Sequence, residues 1–323
     1  MGNKQNKTIM GMSKNEFMKK YGIAGVLLIM IIFMCIASPT FRTTGNVISI
    51  LQQVSVNGVL ALGMVFVITS GCIDLSIGSM LALTSVIIGI VFDFSESILL
   101  CVIFSIIACC IFGFINGALV AGFHMFPFVV TLSTQLVIRG VGYILCDGRT
   151  KTLTNKNFRQ IGLGKIAGFI PNSILILLVV AIVAYTLMHW TKFGRYVYAT
   201  GGNKNAAIAS GVNVFWITIL TYVWMGFCAA VAGIVLTSRI NASQANIGVG
   251  YETDAIAACV IGGTSFAGGV ATIPGTLIGI LIIGVMYNGM NLLSISSYLQ
   301  TITKGLLIIG AVLLDMQMNK KRA

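Results

Sequence analysis

Ten apolar runs, each 17 to 24 residues long and divided by short polar stretches, constrain this chain more than any other feature. About 20 apolar residues in helical form cross a bilayer core. A spanning segment must close its own backbone hydrogen bonds, which leaves helices or closed barrels, and these runs lack the alternation of a barrel strand. The chain is therefore expected to be an all-α polytopic membrane protein. Composition agrees, with 9% of 323 residues charged and 57% hydrophobic, where a globular protein has about 25% charged. No sizeable soluble domain fits.

The expected spans are 22–38, 47–70, 74–92, 97–120, 126–145, 173–190, 215–237, 254–272, 275–293 and 299–315. They make one transmembrane domain over 22–315, between basic tails at 1–21 and 316–323. The first run follows five lysines, as in a signal peptide, but it is long and more spans follow, so it reads as a retained helix. A net charge of +12 would suggest nucleic acid in a soluble protein. Here it reads as topology, and no nucleic-acid partner is expected. Ten spans put both termini on one side, the cytoplasmic one by their lysines. Of the 20 basic residues, 11 then lie inside, 7 outside and 2 (Arg139 and Lys304) within spans. The exception is the loop 146–172, placed outside although it carries five basic residues.

The loop 191–214 lies between Trp190 and Trp216, which suit the membrane–water boundary, and it holds Lys192, Arg195 and Lys204 without an acid. Asn203 and Asn205 can cap a helix, the run through Ala206 and Ala207 permits one, and Gly211 can stop it. The expectation is a short cytoplasmic helix, which two turns cannot stabilise alone. A plain connecting loop is the rival reading.

Asp74 is the only charge from Val47 to Phe92. A carboxylate at bilayer depth costs roughly 3 kcal/mol and needs a reason. Capping the third span is one, and contact with a transport pathway is another. Asp254 has the same two readings, because it stands ten residues before Thr264-Ser265 as Asp74 does before Thr84-Ser85. Asn116-Gly117 is likewise echoed by Asn288-Gly289. The matching spans would run in opposite directions, as in the inverted repeats of transporters, with both aspartates near membrane edges. Gly113-x-x-x-Gly117 and Gly275-x-x-x-Gly279 each set two glycines on one helix face for close packing, within the bundle or at a dimer seam.

No catalytic set is present. The two histidines, His124 and His189, lack a partner motif, and the eight cysteines have no metal or redox spacing, so neither a metal site nor a bound cofactor is expected. No Walker-type glycine loop occurs, so any ATP is used by a partner.

The blocks GCIDLSIGSMLAL from Gly71, GFINGALVAGFHMFPFVVTLST from Gly113, Arg139-Gly140, the loop from Phe193, and VIGGTSFAGGVATIPGTLIGILIIGVMYNGMNLL from Val260 are similar to the permease subunits of ribose-type ABC sugar importers. The resemblance runs from about Val47 to Asp315. It implies two permease copies forming the translocation path in a bacterial inner membrane, a pair of ATP-binding subunits beneath, and an extracytoplasmic sugar-binding protein above. It also implies that the short helix of the 191–214 loop couples to the ATPase through Asn203, Asn205, Ala206, Ala207 and Gly211. The family's acidic residue is replaced by Asn205, and the Ile-x-Leu-Pro tail is absent.

Candidate path residues are the neutral polars Gln52, Gln53, Asn57, Asn116, Thr131, Ser133, Asn288, Asn291 and Thr301, which suit hydroxyls; each could serve a helix–helix hydrogen bond instead. An ion-coupled secondary transporter would carry more ionisable groups in its spans. Permeases for nucleosides or amino acids are the nearer alternative.

Overall fold

The computed structural model describes residues 14–320 apart from 167 and 169. Thirteen α-helices account for most of them: α1 (Lys14–Ala37), α2 (Thr44–Thr69), α3 (Ile77–Phe94), α4 (Ile98–Gly122), α5 (Pro127–Leu145), α6 (Lys156–Leu163), α7 (Asn172–Trp190), α8 (Lys192–Gly202), α9 (Lys204–Ala209), α10 (Val214–Ile240), α11 (Tyr251–Ile261), α12 (Ile273–Leu292) and α13 (Ser297–Lys320). Seven of these, α2, α3, α4, α5, α7, α10 and α12, are long and apolar enough to cross a membrane, and shorter apolar stretches lie at Gly22–Ala37 and Ser297–Leu313. The tails expected at 1–21 and 316–323 are partly helical, since α1 begins at Lys14 and α13 runs to Lys320. Residues 1–13 and 321–323 lie outside the described residues.

The eighth expected span is corrected. α11 has 11 residues, about 16 Å of helix, which is roughly half of a 30 Å hydrocarbon core. The apolar composition of 254–272 suggested a span, but Gly262, Gly263, Gly268 and Gly269 end the helix, the last three at positive φ.

The core is built on α2 and α10, the first buried all round from Val54 to Thr69 and the second buried over most of its surface. α3 and α4 pack on α10, and α11 and α12 pack on α2. α3 also packs on α4, and α11 on α12, so the two halves exchange equivalent contacts. This pattern supports the inverted repeat. The Thr-Ser markers, however, are not equivalent, because Thr84 and Ser85 lie inside α3 whereas Thr264 and Ser265 follow the end of α11. The glycine pairs pack within the bundle. A Cβ on Gly113 or Gly117 would meet the α10 backbone at Tyr222 or Ile219, and one on Gly275 or Gly279 would meet that of Gly262 or Ala258.

The two polar loops lie at opposite ends of α10. At one end, Gly201 and Gly269 close on Thr69, with Gly269 N donating to Thr69 O at 2.9 Å. At the other end α6 packs on α10, and Gly162 N donates to Ser238 Oγ at 2.8 Å. Lys151–Thr152 pairs there, antiparallel, with Ala242–Ser243.

Candidate functional site

α3 does not start at the surface. Cys109 Sγ donates to Met80 O at 3.4 Å, and Gly226, mid-length in α10, packs on the Cys109 backbone. The first turn of α3 therefore lies at mid-depth, and the segment 70–76 climbs to it from the end where Thr69 lies. From the opposite end, residues 241–250 descend beside α3, with Ser243 against Gly89 and Gly248 against Gly78. α3 and α11 thus both begin near mid-depth and leave in opposite directions. A Cβ on Gly78 would lie under 3.0 Å from Gly248 O, and one on Gly248 under 3.0 Å from Gly78 O.

Non-helical backbone at this depth needs partners for its amides and carbonyls. Side chains supply them. Tyr222 Oη donates to Ile73 O at 2.9 Å. Asp74, fully buried, accepts from Ser76 N at 2.8 Å and Ser76 Oγ at 2.6 Å. Asn116 Nδ2 donates to Ser76 Oγ at 2.9 Å. In the other half, Arg139 Nη1 donates to Ala245 O at 2.7 Å and Ile247 O at 2.6 Å, and Lys304 Nζ to Gly250 O at 2.6 Å. Glu252 Oε1 accepts from Gly250 N at 3.1 Å. Two cations, from α5 and α13, converge on the carbonyls of one broken segment.

The aspartates differ from expectation in place and in role. Neither is a membrane-edge residue, because both stand beside the mid-depth starts of α3 and α11. Asp74 holds Ser76 N, one residue ahead of α3, and Ser76 itself takes the cap position. Asp254 caps nothing. Its Oδ1 pairs with Lys304 Nζ at 2.8 Å and accepts from Tyr287 Oη at 3.1 Å. Glu252, adjacent in the first turn of α11, takes the free amide instead. Acidic side chains thus occupy the positive ends of both α3 and α11.

The nine candidate path polars are held in different ways. Asn116 is taken by Ser76. Asn288 exchanges amide bonds of 3.0 and 2.8 Å with Asn46, and Asn291 accepts from Gln300 at 2.8 Å. Thr131 and Thr301 bond back to Pro127 O and Ser297 O in their own helices. Asn57 is buried, and Gln52 and Gln53 are half-buried, with the Gln52 carbonyl receiving Arg239 at 2.9 Å. Ser133 and Thr301 are exposed on α5 and α13. Sequence reasoning noticed Arg139 and Lys304 as charges inside spans but missed Glu252 at Gly250, Tyr287 at Asp254, and Tyr222 at the Ile73 carbonyl of the other half.

The 191–214 stretch is more ordered than a loop with one helix. α8 was not expected; Thr191 starts it by accepting from Gly194 N at 3.3 Å. The short helix α9 matches the expectation, with Asn203 Oδ1 accepting from Ala206 N at 3.0 Å. Gly211, at φ +80°, closes it in a Schellman turn, in which Gly211 N donates to Ile208 O at 2.9 Å and Val212 N to Ala207 O at 3.0 Å. Ala207 is 4% exposed and anchors α9 to the bundle, whereas Ile208 is 54% exposed. Lys204, Asn205 and Ala206 share its outer surface. Beside α9 lies a groove of about 530 Å³, lined by Ser70, Cys72, His124, Phe126, Lys204 and Ile208 among others.

A family model described as branched-chain amino acid transport system / permease component matches residues 46–312. The ribose import permease protein RbsC of Bacillus subtilis (strain 168) is 42% identical over 300 residues, covering 92% of this chain and 93% of the relative. The protein of the same name from Escherichia coli (strain K12) is 41% identical, covering 92% of each chain. The D-allose transport system permease protein AlsC of Escherichia coli (strain K12) is 36% identical over 306 residues, covering 94% of each. No solved structure matches.

Proposed function

Because this chain belongs to the family of branched-chain amino acid transport system / permease components, we propose that it is the membrane-spanning permease subunit of an ATP-driven ABC importer for a monosaccharide. It is a multi-pass integral membrane protein, and its relatives named for ribose and allose match it across more than nine-tenths of its length. The substrate class rests on those relatives and on the neutral polar groups of the spans, which suit hydroxyls. Two copies would enclose the path, with the outward polar residues Ser133 and Thr301 facing it. A sugar-binding protein would deliver substrate at the end that carries α6.

The observation that carries the coupling role is α9 itself. It is capped at both ends and anchored by Ala207, yet it presents Ile208 outward. A solvated loop has no need of that combination. A pair of ATP-binding subunits would dock there and use the ATP; the permease would carry no cofactor. The test is reconstitution of the full chain with its ATPase and binding protein, and uptake measured over a panel of pentoses and hexoses. Ile208→Asp should insert normally and lose substrate-stimulated ATP hydrolysis, because a charge is not tolerated at a buried protein contact. Normal stimulation in that variant would refute docking at α9. Ala207→Asp is a poor test, since Ala207 is buried within the chain.

A further inference from the structure

A groove of about 430 Å³ opens on the flank of the bundle between α7 and α10, and transport as described above makes no use of it. Val179, Val183 and Leu187 of α7 face Leu220, Trp224 and Phe227 of α10 across it. Every side chain lining it is apolar or a thiol. Its floor is an aromatic row. Trp224 stacks on Phe227 at 5.4 Å and meets Phe66 at 5.6 Å, and Phe66 stacks on Phe193 at 5.9 Å. Trp224 Nε1 donates inward to Leu62 O at 3.2 Å, so the polar edge of the indole is satisfied away from the groove. Along α7 the lining covers eight residue steps, about 12 Å of helix.

Two cations stand beside one of the groove's wall residues in the chain. Phe193, in its wall, lies between Lys192 and Arg195, both exposed at the start of α8. Among the described residues neither makes an ion pair or a side-chain hydrogen bond. No Asp or Glu occurs in the sequence between Asp147 and Glu252 to neutralise them. Trp190, 74% exposed, marks the membrane boundary at this level. Apolar depth with a cationic rim at the boundary is the complement of a lipid with an anionic headgroup. We infer that the groove holds one acyl chain of an anionic phospholipid from the leaflet on the α8–α9 side. Its phosphate lies at Lys192 and Arg195.

The chain has three tryptophans, and Trp224 is the one in the groove. With Trp190→Phe and Trp216→Phe, Trp224 fluorescence reports its occupancy. The full chain is reconstituted in vesicles of fixed phosphatidylglycerol and phosphatidylcholine content, and only the lipid carrying bromine on its acyl chains is changed. Brominated phosphatidylglycerol should quench Trp224 beyond its mole fraction, with an apparent preference of about fivefold. Lys192→Gln with Arg195→Gln should bring the two lipids to parity. Val183→Phe, at a position already 40% exposed, should fill the groove and remove most of the quenching. Quenching that follows mole fraction and ignores all three substitutions would mean ordinary annular lipid and overturn the inference. Absence of quenching by either lipid would mean that protein, such as a second copy, covers the groove, and would overturn it equally.

Discussion

The ion pair between Lys304 and Asp254 allows a quantitative test of how the broken segment is held. The two side chains are 19% and 8% exposed and 2.8 Å apart, and Lys304 also donates to Gly250 O at 2.6 Å. Lys304→Leu leaves a buried carboxylate with Tyr287 as its donor among the described residues and removes one of three donors to the Gly250 carbonyl, which keeps Thr253 Oγ1 at 2.7 Å and Asp254 N at 3.3 Å. Removing one partner of a buried pair costs about 3–5 kcal/mol. Asp254→Leu leaves the ammonium bonded to Gly250 O and able to reach toward water, so its cost should be lower, about 2–3 kcal/mol. The double Leu variant leaves Tyr287 Oη without its acceptor and loses the lysine bond to Gly250 O, at about 1–2 kcal/mol each. Its cost should be about 3 kcal/mol, well below the sum of the singles, with a coupling energy of about 3 kcal/mol. Unfolding of the purified variants by SDS in mixed micelles, followed by far-UV circular dichroism, measures each corner of the cycle. Additive costs would show that the pair is not coupled and refute the reasoning.

Gly78→Ala should cost at least about 1–3 kcal/mol, because its Cβ meets the Gly248 backbone, which cannot swing aside as a side chain can. Gly140→Ala, with nothing within 4 Å of its Cβ, is the matched control in the same thermal unfolding assay and should be neutral or slightly stabilising. Asn203→Ala should cost about 1 kcal/mol through loss of the α9 cap, while Asn203→Asp should retain it. Hydrogen exchange of the 203–211 amides would report the difference. Single cysteines at Lys204 and Thr152, in a cysteine-depleted background, should react with impermeant reagent from opposite sides of the membrane. Labelling of both from one side would refute the placement of α6 and α9.

Periodicity and length made the all-α membrane fold legible, and cap chemistry placed α9 between Asn203 and Gly211. Depth was not legible. A window of apolar residues has the same composition whether it forms a full span, as α12 does, or a half-helix followed by glycine turns, as 251–272 does. For the same reason Asp74 looked like an edge residue, since nothing in GCIDLSIGS states that the backbone climbs to mid-depth before it coils. The carbonyl partners of Arg139 and Lys304 were hidden for a different reason. They are main-chain carbonyls 106 and 54 residues away, and a carbonyl has no signature in a sequence.

The cations that hold segment 241–250 are supplied from both sides of it in the chain, Arg139 before and Lys304 after. Synthesis therefore delivers this re-entrant stretch before its second support exists. An 11-residue helix is too short to be inserted as an independent hydrophobic unit. Until α13 follows it into the bilayer, the Gly250 carbonyl and the Asp254 carboxylate remain without their lysine. A nascent chain stalled short of that lysine would carry every long span and still fail to settle. The seven long spans thus do not by themselves complete the support of this stretch, which waits on a lysine more than fifty residues downstream.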